Sequence, residues 1–161
     1  MANDKEIVID WLNNAYAMEK GLIPILQNHA KDAARHPAVR SRVEQHVEET
    51  RRHAEMVKDC LERMGEKPSA IKAAVGGMMG AVQSVATGPF KDEEVKNALS
   101  DYATEHFEIA AYRALSEAAR AIGDEETART CEQICREEQD MANFLEQNLP
   151  TTVRDALGRE R

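Results

Sequence analysis

The sequence predicts an all-α protein, a four-helix bundle whose long crossover carries a short fifth helix. Three observations predict it. Aromatic residues make up only 4% of the 161 residues, and Gly (8) and Pro (5) are few, which suits helices packed through Leu, Ala and Val better than a sandwich or barrel. Apolar residues recur at alternating steps of three and four in four long segments. The two middle segments are separated by roughly twenty-five residues, far more than consecutive antiparallel helices need.

Each helix can be bounded from its own residues. The first runs from about Asp4 to Asp32, with the stripe Val8, Leu12, Ala15, Glu19, Leu22 and Leu26. Pro24 lies inside it and predicts a bend close to Glu19, because proline removes one backbone bond and clashes one turn back. His36-Pro37 punctuates the chain, with proline suited to the first helical position. The second helix follows from Pro37 to about Met64 on Val43, Val47, Ala54, Val57 and Leu61, and Gly65 and Pro68 stop it. Residues 69–89 then change to Ala, Gly, Met and Val with few charges. They read as a short helix inside a crossover that joins two helix pairs, and Met78 and Met79 suit core cover or an oligomer contact. The third helix runs from about Asp92 to Ile122 on Val95, Ala98, Tyr102, Glu105, Ile109 and Tyr112. Gly123-Asp124 makes a turn, and the fourth helix runs from about Glu125 to Asn148 on Cys131, Ile134, Glu138, Met141 and Leu145. Pro150 is expected to end it. Residues 1–150 are thus expected to form the domain, and residues 151–161 a flexible C-terminal tail.

Four acids interrupt or border these stripes: Glu19, Glu49, Glu105 and Glu138. A buried carboxylate is costly unless it is paired or holds a metal. One such acid per helix is how a helical bundle builds a dinuclear metal centre. The halves repeat: Tyr16-Ala17-Met18-Glu19 resembles Tyr102-Ala103-Thr104-Glu105, and the doublet Glu48-Glu49 matches Glu137-Glu138. Glu19 and Glu105 are 86 residues apart and Glu49 and Glu138 are 89 apart, which predicts a pseudo-twofold axis through the site. Four carboxylates nearly balance two divalent cations. Oxygen with imidazole ligation suits iron or manganese, and zinc also fits.

Nitrogen donors are fewer. His53 shares a helix face with Glu49, His46 precedes Glu49 by three residues, and the choice between them stays open. Glu108 lies one turn beyond Glu105 and offers a fifth carboxylate, whereas His106 is turned away from it. Tyr16 and Tyr102 each lie one turn before a ligand, although buried helical tyrosines ordinarily just pack. The competing reading pairs the inward acids with Arg52 and Arg113 in a buried ionic network.

The segments AYAMEKGL, QHVEETRRHAE, DYATEHFEIAAY and REEQDMANFLE resemble the four ligand-bearing helices of the YciE/YciF-type ferritin-like family, over roughly residues 4–149. EHFEIAAY and HVEET carry the resemblance most specifically. It implies a ferritin-like four-helix bundle, a homodimer, and a link to bacterial stress responses. It also implies Glu19, Glu49, Glu105 and Glu138 as carboxylate ligands of two divalent metal ions, with Glu108 and His53 as additions. The wider ferritin-like pattern places Glu-x-x-His on the second and fourth helices, but Arg52 and Met141 stand three residues after Glu49 and Glu138 here.

The function that follows is a dinuclear iron or manganese protein acting on peroxide, oxygen or ferrous iron. The alternative is a metal-binding or structural stress protein without turnover. A rubrerythrin-like peroxidase would need a CxxC pair for its own electron-transfer iron, and Cys60, Cys131 and Cys135 form none. Iron storage would need a large closed assembly. A net charge of -8 argues against general nucleic-acid binding. No apolar run is long enough to span a membrane, and MANDKEIVIDW does not read as a signal peptide. The odd cysteine count fits small core residues in a reducing, cytoplasmic compartment.

Overall fold

A computed structural model describes residues 3–68 and 92–158. Four long helices account for nearly all of them: α1 (Asp4–Asp32), α2 (Pro37–Arg63), α3 (Glu93–Ala121) and α4 (Glu125–Gly158), with one turn of 3-10 helix (Ala33–Arg35) between the first two. The short helix expected within residues 69–89, with Met78 and Met79, lies outside the described residues.

The ends form where the local chemistry sets them. Asn3 caps α1 in a reciprocal capping box with Glu6. Asp92 accepts from the backbone N–H groups of Glu94 and Val95 at the start of α3, and Asp124 from that of Thr127 at the start of α4. Gly65 and Gly123, at φ of 88° and 81°, adopt the left-handed conformation that closes α2 and α3. In both, the next residue donates back across the turn, Glu66 to Leu61 and Asp124 to Ala119, which satisfies carbonyls the helix leaves open.

The packing is that of two helical hairpins, α1 with α2 and α3 with α4, laid against each other through α1–α3 and α2–α4. Leu12, Leu22, Leu26, Val57, Leu61, Ile134 and Met141 are buried between them. Each such side chain contributes about 1.5–3 kcal/mol relative to an exposed one. Cys60 and Cys131 are fully buried core residues, as the stripe predicts, and burial pushes the Cys131 thiol up to about 12. None of the described helices is long and apolar enough to cross a membrane.

Two prolines lie inside helices, and one of them behaves differently from expectation. α1 continues through Pro24. α4 does not end at Pro150 but runs two further turns to Gly158, which corrects the expected helix end. Proline removes one backbone bond but leaves the following turn intact if packing holds it. Here Thr152 is buried, its hydroxyl donates to the carbonyl of Asn148, and Asp155 lies 3.5 Å from the His36 ring.

Candidate metal centre

All four helices aim acidic or imidazole side chains at one point in the middle of the bundle. Six of them are at most 1% exposed: Glu19 from α1, His46 and His53 from α2, Glu105 and Glu108 from α3, and Glu138 from α4. They fall into two groups. Ligand atoms of His46, Glu105, Glu108 and Glu138 lie within 4.8 Å of one another, and so do those of Glu19, His53 and Glu138. Glu138 belongs to both.

The two histidines are built alike. The Nδ1 of His46 lies 3.0 Å from Glu49, and its Nε2 faces inward, 3.0 Å from Glu105 and 3.5 Å from Glu138. The Nε2 of His53 lies 2.8 Å from Glu137, and its Nδ1 faces inward, 2.8 Å from Glu138 and 3.8 Å from Glu19. Each ring that donates outward to a carboxylate presents a lone pair inward. This carboxylate–imidazole relay fixes the tautomer of a ligating histidine. The outer carboxylates are anchored in turn, Glu49 by Arg42 and Gln45 and Glu137 by Arg52 and Gln133.

The electrostatics are those of a site short of positive charge. Burial, reinforced by the charge of Glu138, pushes Glu19 up to about 8, and burial with the same charge holds Glu105 and Glu108 well above the carboxylate range. For Glu138 burial acts upward too, but the His53 and His46 rings beside it win, and its pKa is lowered. Burial would lower His53, yet Glu138 and Glu19 raise it to about 9. Glu49 falls to about 2: burial opposes this, and His46 and Arg42 outweigh burial. Tyr112, fully buried, donates its hydroxyl to Glu19.

Glu19 Oε2, Glu105 Oε2, Glu108 Oε1 and both oxygens of Glu138 have no hydrogen-bond partner. A buried polar atom left unmade costs about 1–3 kcal/mol, more if charged. Five such atoms converging on one point fit a pair of cations with oxygen and imidazole ligands. Among the described residues neither arginine expected to pair with the inward acids does so: Arg52 pairs with Glu137 outside the cluster, and Arg113 is exposed.

The expected ligands are therefore placed unequally. Glu19, His53, Glu105, Glu108 and Glu138 converge. Glu49 does not: it is half-buried and faces Arg42, with His46 between it and the cluster. On α2, His46 and His53 span two turns and occupy the inward face, so the residue between them is rotated aside. Both histidines join, where the sequence left a choice of one. Tyr16 is half-buried, and Tyr102 packs edge-on against the exposed His106 at 4.6 Å. The tyrosine that reaches a ligand is Tyr112, whose only signal is its place on the α3 stripe two turns after Glu105.

A family model described as "Domain of unknown function (DUF892)" matches residues 3–158. The chain belongs to this family. Among solved structures, a protein of Xanthomonas campestris is 36% identical over 99% of both chains, with a TM-score of 0.84. The Escherichia coli stress protein YciF is 20% identical over 96% of this chain and 99% of that one, TM-score 0.81. The bacterioferritin of Desulfovibrio desulfuricans, whose structure is described by its diiron site in different catalytic states, is 24% identical over 93% of this chain and 84% of that one, TM-score 0.73. This member of the DUF892 family therefore has the ferritin-like fold, and the YciE/YciF-type resemblance of its sequence holds.

Proposed function

We propose that the chain holds two divalent metal ions, iron or manganese, in the groups His46/Glu105/Glu108/Glu138 and Glu19/His53/Glu138, and acts as a homodimer on peroxide, oxygen or ferrous iron in stress protection. The observation that carries this is the set of five partnerless carboxylate oxygens at one buried point. Four inward carboxylates bring about four negative charges, which two divalent ions neutralise. Zinc fits the same donors but does not change oxidation state. Two iron or manganese ions held together supply the two electrons that peroxide reduction to water consumes.

The protein's own residues do the rest. Near-complete burial of all six ligands keeps bulk water off the centre. Glu49 and Glu137 hold the imidazoles in the ligating tautomer. The Tyr112 hydroxyl on Glu19 keeps a proton beside the three-donor group. Glu108, with Oε1 free of hydrogen bonds, is the carboxylate we assign to change its binding mode.

Metal content by mass spectrometry tests the centre, on protein purified without chelator or nickel resin. Wild type is expected to carry two equivalents of iron or manganese, and Glu138→Gln close to none. A wild type without metal would sink the reading. Repeated peroxide consumption by the loaded protein separates catalysis from metal binding alone.

A further inference from the structure

On the outer side of the bundle, α3 and α4 leave a cleft of about 550 Å³. Its volume lies within the range of roughly 300–1,000 Å³ typical of small-molecule sites. Ser116, Cys135 and Tyr112 line it together with three arginines, Arg113, Arg120 and Arg136, and two carboxylates, Glu117 and Glu132; Arg113 and Arg136 are exposed. Arg120 is committed: it bonds Ser116, Glu117 and Glu132. Arg113 and Arg136 have no ion pair among the described residues, whereas Arg42, Arg52 and Arg63 each hold a carboxylate. Arg113 and Arg136 thus add positive charge to one concave surface, although the charge of Arg136 also acts on Glu132. Behind the cleft lies the fully buried Tyr112, whose hydroxyl contacts Glu19. A molecule seated here is one aromatic ring from the centre.

The geometry points to this cleft as the binding site of a small organic anion bearing carboxylate groups, held by Arg113 and Arg136. Guanidinium forks match carboxylates in two parallel hydrogen bonds. This binding does not rest on the proposed metal centre.

Cys135 reports on the cleft. It is half-buried and lines it, while Cys60 and Cys131 are fully buried. Its thiolate attacks an aryl disulfide; the reagent's S–S bond breaks, a mixed disulfide forms and one arylthiolate leaves. The metal-free protein is treated with dianionic 5,5′-dithiobis(2-nitrobenzoate) and, separately, with neutral 4,4′-dithiodipyridine. Each rate is taken relative to that of free cysteine at the same ionic strength. The dianionic reagent is expected to be favoured by about ten-fold, a modest case of charge-focused binding. Its rate should saturate with concentration and fall when isophthalate is added. Arg113→Gln/Arg136→Gln should abolish the preference and leave the neutral reagent's rate unchanged. No preference, or a preference that survives the double variant, overturns the proposal. Should Cys135 resist both reagents, nuclear magnetic resonance decides. Saturable isophthalate shifts of arginine Nε–H groups, lost in the double variant, support the site, and a flat titration overturns it. Neither measurement needs metal, so a failed metal centre and a failed anion site remain distinguishable.

Discussion

The two ligand groups share Glu138 but are built to different specifications. One has four side chains, with two carboxylates one turn apart on α3. The other has three, and one of them, Glu19, already accepts a hydrogen bond from Tyr112. The difference arises from the broken repeat. Moving 86 residues from α1 to α3 carries Glu19 onto Glu105 but Leu22 onto Glu108 and Leu26 onto Tyr112. Moving 89 residues from α2 to α4 carries Glu49 onto Glu138 but His46 onto Cys135 and His53 onto Ala142. The helical framework repeats while the donors do not. A bundle can thus keep pseudo-symmetric packing and still offer two unlike positions to two ions.

The sharpest way to break this comparison is to remove a donor unique to each group. Glu108→Gln should cost the four-donor position its ion and leave about one equivalent per chain. Glu19→Gln should do the same for the three-donor position. Stoichiometry from mass spectrometry, with competition titration for affinity, reads both. If either substitution empties both positions, the groups act as one unit and the division is wrong. In metal-free protein, both substitutions should raise the urea midpoint, because each removes a carboxyl held far above its ordinary range by burial.

A smaller effect is expected from the outer carboxylates. Removing such a partner typically costs about 10–100-fold in metal affinity. Glu49→Gln and Glu137→Gln should both retain two equivalents while weakening one each. Glu49→Gln should affect the four-donor position through His46, and Glu137→Gln the three-donor position through His53. Loss of stoichiometry in Glu49→Gln would return Glu49 to the ligand set.

Glu49 also shows where sequence reasoning reached its limit. The helices, their stripes and the carboxylates Glu19, Glu105 and Glu138 were legible, because period and burial are properties of one helix at a time. Whether Glu49 or His46 faced inward was not. The two differ by three residues, about 60° around the axis, and the stripe of α2 is wide enough to admit either. The choice is made across helices, by Arg42 and Gln45 holding Glu49 on one side and by Glu105 and Glu138 facing His46 on the other. Pro150 failed for a related reason. A local rule for ending helices lost to packing of Thr152 against the bundle end.

The smallest expected effect on metal binding comes from a histidine–carboxylate pair that belongs to neither group. His29 lies 2.7 Å from Asp101, one turn before Glu105 on α3, and both are nearly buried. Burial would lower the His29 pKa, but the hydrogen bond and charge of Asp101 outweigh it, and the value is raised above 6.5. The folded state therefore binds the proton more tightly than the unfolded chain. The resulting stability is fully present below pH 6.5 and is lost as pH rises through the folded value. Charge-assisted hydrogen bonds of this kind are worth about 1.5–3 kcal/mol. The difference in urea stability between wild type and His29→Gln should be of that order at pH 6 and shrink steadily toward pH 9. Metal loading should change that difference only slightly, since neither residue is a donor and only the charge of Asp101 reaches Glu105 and Glu108. A difference that instead follows metal occupancy would join this pair to the centre and extend the four-donor group one turn along α3.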